Sequence, residues 1–192
     1  MEKKLIDTVA EIQAAHPDAT VESWSQDEAR LGLQPVLRRI WCRRGSRPRA
    51  IVRPKRKWLY LYTFVHPVSG RSEWLILPRV RTDVMNLVLA EFACLSGAGP
   101  AKQIVLVWDN AGWHTSKDLR VPEGIHLVPL PAHTPELQPT ERVWPLVRES
   151  IANESLPNLD ALEERLAARC RTLAGQAEQI QYLTQFHWWP TC

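Results

Sequence analysis

The chain has 192 residues, 45% of them hydrophobic and 23% charged, and a formal net charge of +3. That is enough for one domain with a substantial core and an ordinary globular balance. It excludes a transmembrane helix, because no apolar run approaches the ~20 residues needed.

Met1-Glu2-Lys3-Lys4 leads into an amphipathic stretch with no apolar leader core, so a cytoplasmic protein is expected. Leu5, Ile6, Val9, Ile12 and Ala15 predict a lead-in helix, stopped by His16-Pro17. Val21 to Leu33 reads as a strand that carries Asp27-Glu28 and ends near Gly32. Strand geometry turns these two acids to opposite faces.

Arg38 to Lys57 is a basic block with ten cations and no acid: Arg38, Arg39, Arg43, Arg44, Arg47, Arg49, Arg53, Lys55, Arg56 and Lys57. The remaining 14 basic and 21 acidic residues give the rest of the chain a net charge of −7. Such asymmetry is either a solvated loop or a local footprint for a polyanion. Within the block, Ile40 to Cys42 and Ala50 to Val52 are candidate short strands.

Lys57 to His66 and Arg71 to Leu77 predict two strands joined by a turn at Pro67-Val68-Ser69-Gly70. A helix follows, capped by Thr82 or Asp83 and ended by Gly97. Ile104 to Trp108 is almost wholly apolar, as in a parallel strand buried on both faces, and it delivers Asp109. Thr115 to Leu119 is at most one helical turn, and Ile125 to Val128 is a second inner strand.

The chain becomes helical from Gln138, with a kink or 3-10 start where Pro145 follows Glu141 by four. Asn158 to Leu173 is an amphipathic helix. Gln176 to Phe186 is a last helix, and His187 to Pro190 an apolar tail that docks on the core. The class is α/β, with an antiparallel meander first and parallel strands after. The four cysteines form no CxxC pair, which argues against a zinc site or a disulfide framework.

Asp27, Asp109 and Glu141 stand apart by position: inside a strand, at a strand end and at a helix start. A carboxylate-only set suits Mg²⁺ or Mn²⁺. Two such ions roughly 4 Å apart promote phosphodiester displacement, and the basic block suits DNA phosphates.

Three stretches carry a resemblance: DEARLGL (27–33), LVWDNAGWH (106–114) and LPAHTPELQPTERVW (130–144). They resemble the signature blocks of DDE transposases of the insertion-sequence-630/Tc-mariner superfamily. The resemblance implies a ribonuclease-H-like fold with a mixed five-stranded sheet. It implies Asp27, Asp109 and Glu141 as catalytic ligands of two Mg²⁺ or Mn²⁺ ions. Asn110 and His114 would line the site, and Glu28 would be structural or DNA-facing.

The implied activity is strand cleavage at insertion-sequence ends, followed by joining of the freed 3′-hydroxyl to target DNA. Implied partners are both DNAs and a second copy in a homodimer, with action at the nucleoid. The block at 131–135 departs from the family's Pro-Pro-Tyr-Ser-Pro, and the segment near Asp118 to Pro122 is shortened. Residues 1–20 are expected as a lead-in and 21–192 as a single catalytic domain. The family's N-terminal helix-turn-helix module is not among these residues: either it lies on a separate helix-turn-helix polypeptide, a further partner, or these residues are a catalytic fragment. The alternatives are a catalytically inactive DNA-binding remnant and another ribonuclease-H-like nuclease.

Overall fold

The computed structural model describes residues 1–49, 55–114 and 116–191. Its sheet contains β1 (Thr20–Gly32), β2 (Trp58–His66), β3 (Arg71–Leu77), β4 (Lys102–Trp108) and β5 (Ile125–Pro129), in the order β3-β2-β1-β4-β5. β1 and β2 are antiparallel, as are β2 and β3. β4 runs parallel to β1, and β5 to β4. The mixed α/β sheet read from the sequence is therefore present.

The helices are α1 (Glu2–Ala15), α2 (Thr82–Ser96), α3 (Trp144–Glu149), α4 (Leu159–Ala174) and α5 (Ala177–Thr184). The alternation of β1 divides the packing. Ala29 and Leu31 face the side where Val143, Trp144 and Val147 pack with Leu162 of α4. Trp24 faces the other side, among Tyr62, Phe64 and the α2 residues Met85, Leu89 and Phe92. A third cluster joins Leu5, Val9 and Ile12 of α1 to Val105, Val107 and the tail residue Trp189.

Local rules explain the boundaries. Asn158 caps α4, its Oδ1 accepting from the Ala161 amide at 2.9 Å. Gly70 closes the β2–β3 turn at φ 71°, and a Cβ there would lie 1.8 Å from the Ala177 carbonyl oxygen.

Several expectations are corrected. Ile40 to Cys42 is exposed irregular chain that pairs with no strand among the described residues. Instead, Val36 makes a single parallel bridge with Ala152. The Ala50 to Val52 strand and Arg53 lie outside the described residues, as does Thr115. Lys117-Asp118 forms a simple turn, within the expectation of at most one helical turn. Neither Thr82 nor Asp83 caps α2: Arg81 holds the cap position, and Asp83 pairs with Arg81 at 3.1 Å. By contrast, the expected 3-10 start is present: after Gln138 the chain forms a 3-10 turn, Pro139–Val143, before α3. Pro145 sits in the first turn of α3, where its missing N–H leaves no helical bond unmade.

Candidate active site

Asp27, Asp109 and Glu141 line one cavity of about 410 Å³, together with Asn110, His133 and Gln138. Each acid arrives on a different element. Asp27 lies within β1, on the face of Ala29 and Leu31. Asp109 follows the last residue of β4, and Glu141 sits in the 3-10 turn. That turn is fixed against β1 by two buried hydrogen bonds. Gln138 Nε2 donates to the Gln26 carbonyl, and Thr140 Oγ1 donates to Ser25 Oγ at 2.7 Å. Asn110 Nδ2 donates to the Leu130 carbonyl and so ties the end of β4 to the loop after β5.

The carboxylates are held individually. Asp27 Oδ1 accepts from the Glu28 amide at 2.9 Å, and Oδ2 accepts from Trp144 Nε1 at 2.8 Å. Asp109 Oδ1 accepts from the Ala111 amide at 2.9 Å and lies 2.6 Å from His114 Nδ1. Neither Asp27 nor Glu141 has an ion-pair partner among the described residues.

Their electrostatics differ accordingly. Burial pushes the Asp27 carboxyl up to about 8; the Trp144 bond opposes this, while Glu141 and Glu28 add to it. Burial also raises Glu141, with Arg148 opposing and Asp109 adding. The His114 bond holds Asp109 below the usual carboxylate range against its partial burial. Burial would lower His114, but Asp109 and Glu28 outweigh it and carry the imidazole up to about 9.

The cavity therefore gathers three carboxyl groups, two of which have no ion-pair partner among the described residues. Hard oxygen donors of this kind fit Mg²⁺ or Mn²⁺. Among the described residues, no three His, Cys, Asp or Glu side chains close into a finished ligand cluster.

A model of the DDE superfamily endonuclease family matches residues 22–163, a span that contains all three acids. The chain belongs to the DDE superfamily endonucleases. An uncharacterized protein of Sinorhizobium fredii, y4pE/y4sA, is 32% identical over 132 residues, which cover 68% of this chain and 96% of that one. The Mos1 transposase paired-end complex with left transposon end matches with a TM-score of 0.56 at 13% identity, over 94% of this chain. The Mos1 mariner paired end complex with Mn gives 0.57 at 14% identity, over 95% of this chain. The complex with Mg gives 0.56 at 16%, over 94%. The chain spans about 60% of these Mos1 chains. The fold of this family member is thus ribonuclease-H-like, as its sequence motifs imply.

Glu28 points away from the cavity, on the Trp24 face. Its carboxylate accepts from Gln26 Nε2 at 2.9 Å and from Trp113 Nε1 at 2.5 Å. His114 is buried and stacks on Trp108 with ring centroids 4.2 Å apart, so it reaches Asp109 without lining the cavity. That corrects its expected position; Asn110 does line the cavity. Sequence reasoning missed Trp144, Gln138 and Thr140, none of which carries a local signal.

The described residues of the basic block do not line this cavity. Arg38 to Arg49 are exposed, and Asn153 anchors their start by accepting from the Arg38 amide at 2.9 Å. Lys55, Arg56 and Lys57 line a second cavity with Arg30, Trp58 and Arg148. Arg30 lies over the Trp58 ring at 5.1 Å. Arg30 and Arg148 carry positive charge there that the block did not predict. No helix among the described residues is long and apolar enough to cross a membrane.

Proposed function

We propose that this chain is the catalytic domain of a transposase, residues 21–192 with 1–20 as a lead-in. It cuts DNA strands at the ends of an insertion sequence and transfers them to target DNA. The observation that carries this reading is the gathering of Asp27, Asp109 and Glu141, from three separate segments, around one cavity. Membership of the DDE endonucleases and likeness to a transposase fold support it.

Asp27, Asp109 and Glu141 would hold two Mg²⁺ or Mn²⁺ ions; the Mos1 complexes with Mg and with Mn support the choice of metal. Ions held there would supply electrophilic stabilisation to the phosphodiester. The chain's own part is to position. Trp144 holds Asp27 through Oδ2, the 3-10 turn carries Glu141 to β1, and Asn110 fixes the loop that walls the cavity. The cations of Arg38 to Lys57, with Arg30 and Arg148, bind the DNA backbone. A second copy completes the proposal.

Nicking of supercoiled plasmid with Mn²⁺ tests it. The wild-type chain should nick, and Asp109→Ala should fall to background while remaining folded. Equal nicking by the two would overturn the assignment. Salt-sensitive DNA binding without nicking would favour a non-catalytic remnant.

A further inference from the structure

We propose that Glu28 and His114 form a positioning pair that aims the Asp109 carboxylate into the cavity from the opposite face of the sheet; this rests on the function proposed above. The arrangement begins with the alternation of β1. Asp27 faces the cavity, so Glu28 is turned to the α2 side, where Tyr62 is its neighbour on β2.

A buried carboxylate on that side needs partners. Glu28 has Gln26 Nε2 at 2.9 Å and Trp113 Nε1 at 2.5 Å, which fix its plane. Its side chain is only 6% exposed. One oxygen, Oε2, lies 3.5 Å from His114 Nε2, and the imidazole makes no hydrogen bond through that nitrogen.

The other face of the relation is Asp109. His114 Nδ1 lies 2.6 Å from Oδ1, and the Ala111 amide donates to the same oxygen at 2.9 Å. Oδ1 is therefore fully engaged. Asp109 Oδ2 has no hydrogen bond among the described residues, and the side chain is 51% exposed towards the cavity it lines. The imidazole cannot swing away, because Trp108 stacks on one face with planes 15° apart and Trp113 meets it edge-on. One carboxylate oxygen is clamped so that the other is presented. Groups that hold a metal ligand in this way typically govern affinity by ~10–100-fold. The motif spacing Asp109-Asn110-x-x-x-His114 then has a physical content. The turn at 112–114 folds the histidine back beneath the strand end that carries the aspartate.

Two substitutions of the histidine separate positioning from packing. In His114→Asn the amide nitrogen falls where Nδ1 was and still reaches Asp109. In His114→Gln it falls near Nε2 and does not. Mn²⁺ affinity, measured by calorimetry without DNA, should drop about 10-fold or more in His114→Gln and stay within about 3-fold of wild type in His114→Asn. Plasmid nicking by His114→Gln should need a correspondingly higher Mn²⁺ concentration for its half-maximal rate, with KM for DNA unchanged. Glu28→Gln keeps an acceptor for Trp113 but removes the charge facing His114, and should weaken Mn²⁺ binding while still folding. Equal losses in both histidine variants, tracking their melting temperatures, would overturn the pairing. So would unchanged Mn²⁺ affinity in His114→Gln or in Glu28→Gln. Absence of Mn²⁺ binding by the wild-type chain would instead overturn the functional reading on which the pair depends.

Discussion

Trp144 Nε1 donates a 2.8 Å hydrogen bond to Asp27 Oδ2 across 117 residues of sequence. The same indole is buried among Ala29, Leu31 and Val143, so one side chain joins the core to a cavity carboxylate. Trp144→Phe should keep most of the packing and lose the donor. A buried acceptor left unmatched costs about 1–3 kcal/mol. Urea denaturation of the metal-free chain should report a loss in that range; an unchanged midpoint would show that the bond is not stabilising.

Asp27 itself is expected to work against the metal-free fold. Its carboxyl titrates near 3.8 when unperturbed and at about 8 here, so the folded state binds the proton more tightly than the unfolded state does. By linkage, that contribution is fully present below about pH 4 and is lost as pH rises through about 8. Asp27→Asn should therefore melt close to wild type near pH 4 and above it at pH 9, when no divalent ion is present. Each kcal/mol corresponds to about 2–4 °C. Calorimetric melting of both chains across this range decides it, and a wild-type advantage at pH 9 would contradict the electrostatic account.

Gly70 tests the packing of the hairpin rather than the site. Its left-handed φ of 71° and the 1.8 Å approach of a Cβ to the Ala177 carbonyl leave no room for a side chain. Gly70→Ala should cost about 3 kcal/mol or more, displacing α5 from the β2–β3 turn. A destabilisation of less than about 1 kcal/mol in denaturant titration would mean that the turn relaxes freely.

The basic block predicts a salt dependence. Replacing Arg43, Arg44, Arg47 and Arg49 with Gln should reduce the slope of log affinity against log salt by about 0.9 for each phosphate that is no longer neutralised. Fluorescence anisotropy with duplex DNA measures this directly. An unchanged slope would make the block a solvated loop.

Much of this architecture is legible in the residues because its signals are local. The apolar run Ile104 to Val107 has no polar face to offer, so a doubly covered inner strand follows from composition alone. Period-two geometry separates Asp27 from Glu28 before any coordinates are known. Partners beyond the local chain are a different matter. Glu28 finds Trp113 85 residues away, and Thr140 finds Ser25 across 115. No spacing rule encodes either pairing. Ile40 to Cys42 misled because a β-rich composition needs a neighbouring strand, and the exposed chain there has none among the described residues. The position of His114 escaped for the same reason as Trp144: the motif fixes its distance along the chain, not the face of the sheet to which it returns.

The most direct test of the central claim is calorimetric titration of Mn²⁺ into the wild-type chain and into Asp27→Asn, Asp109→Asn and Glu141→Gln. One shared site predicts saturable binding by the wild type and its loss in every variant, with all four chains folded by circular dichroism. Wild-type affinity retained in any of the three would contradict a single site built from Asp27, Asp109 and Glu141.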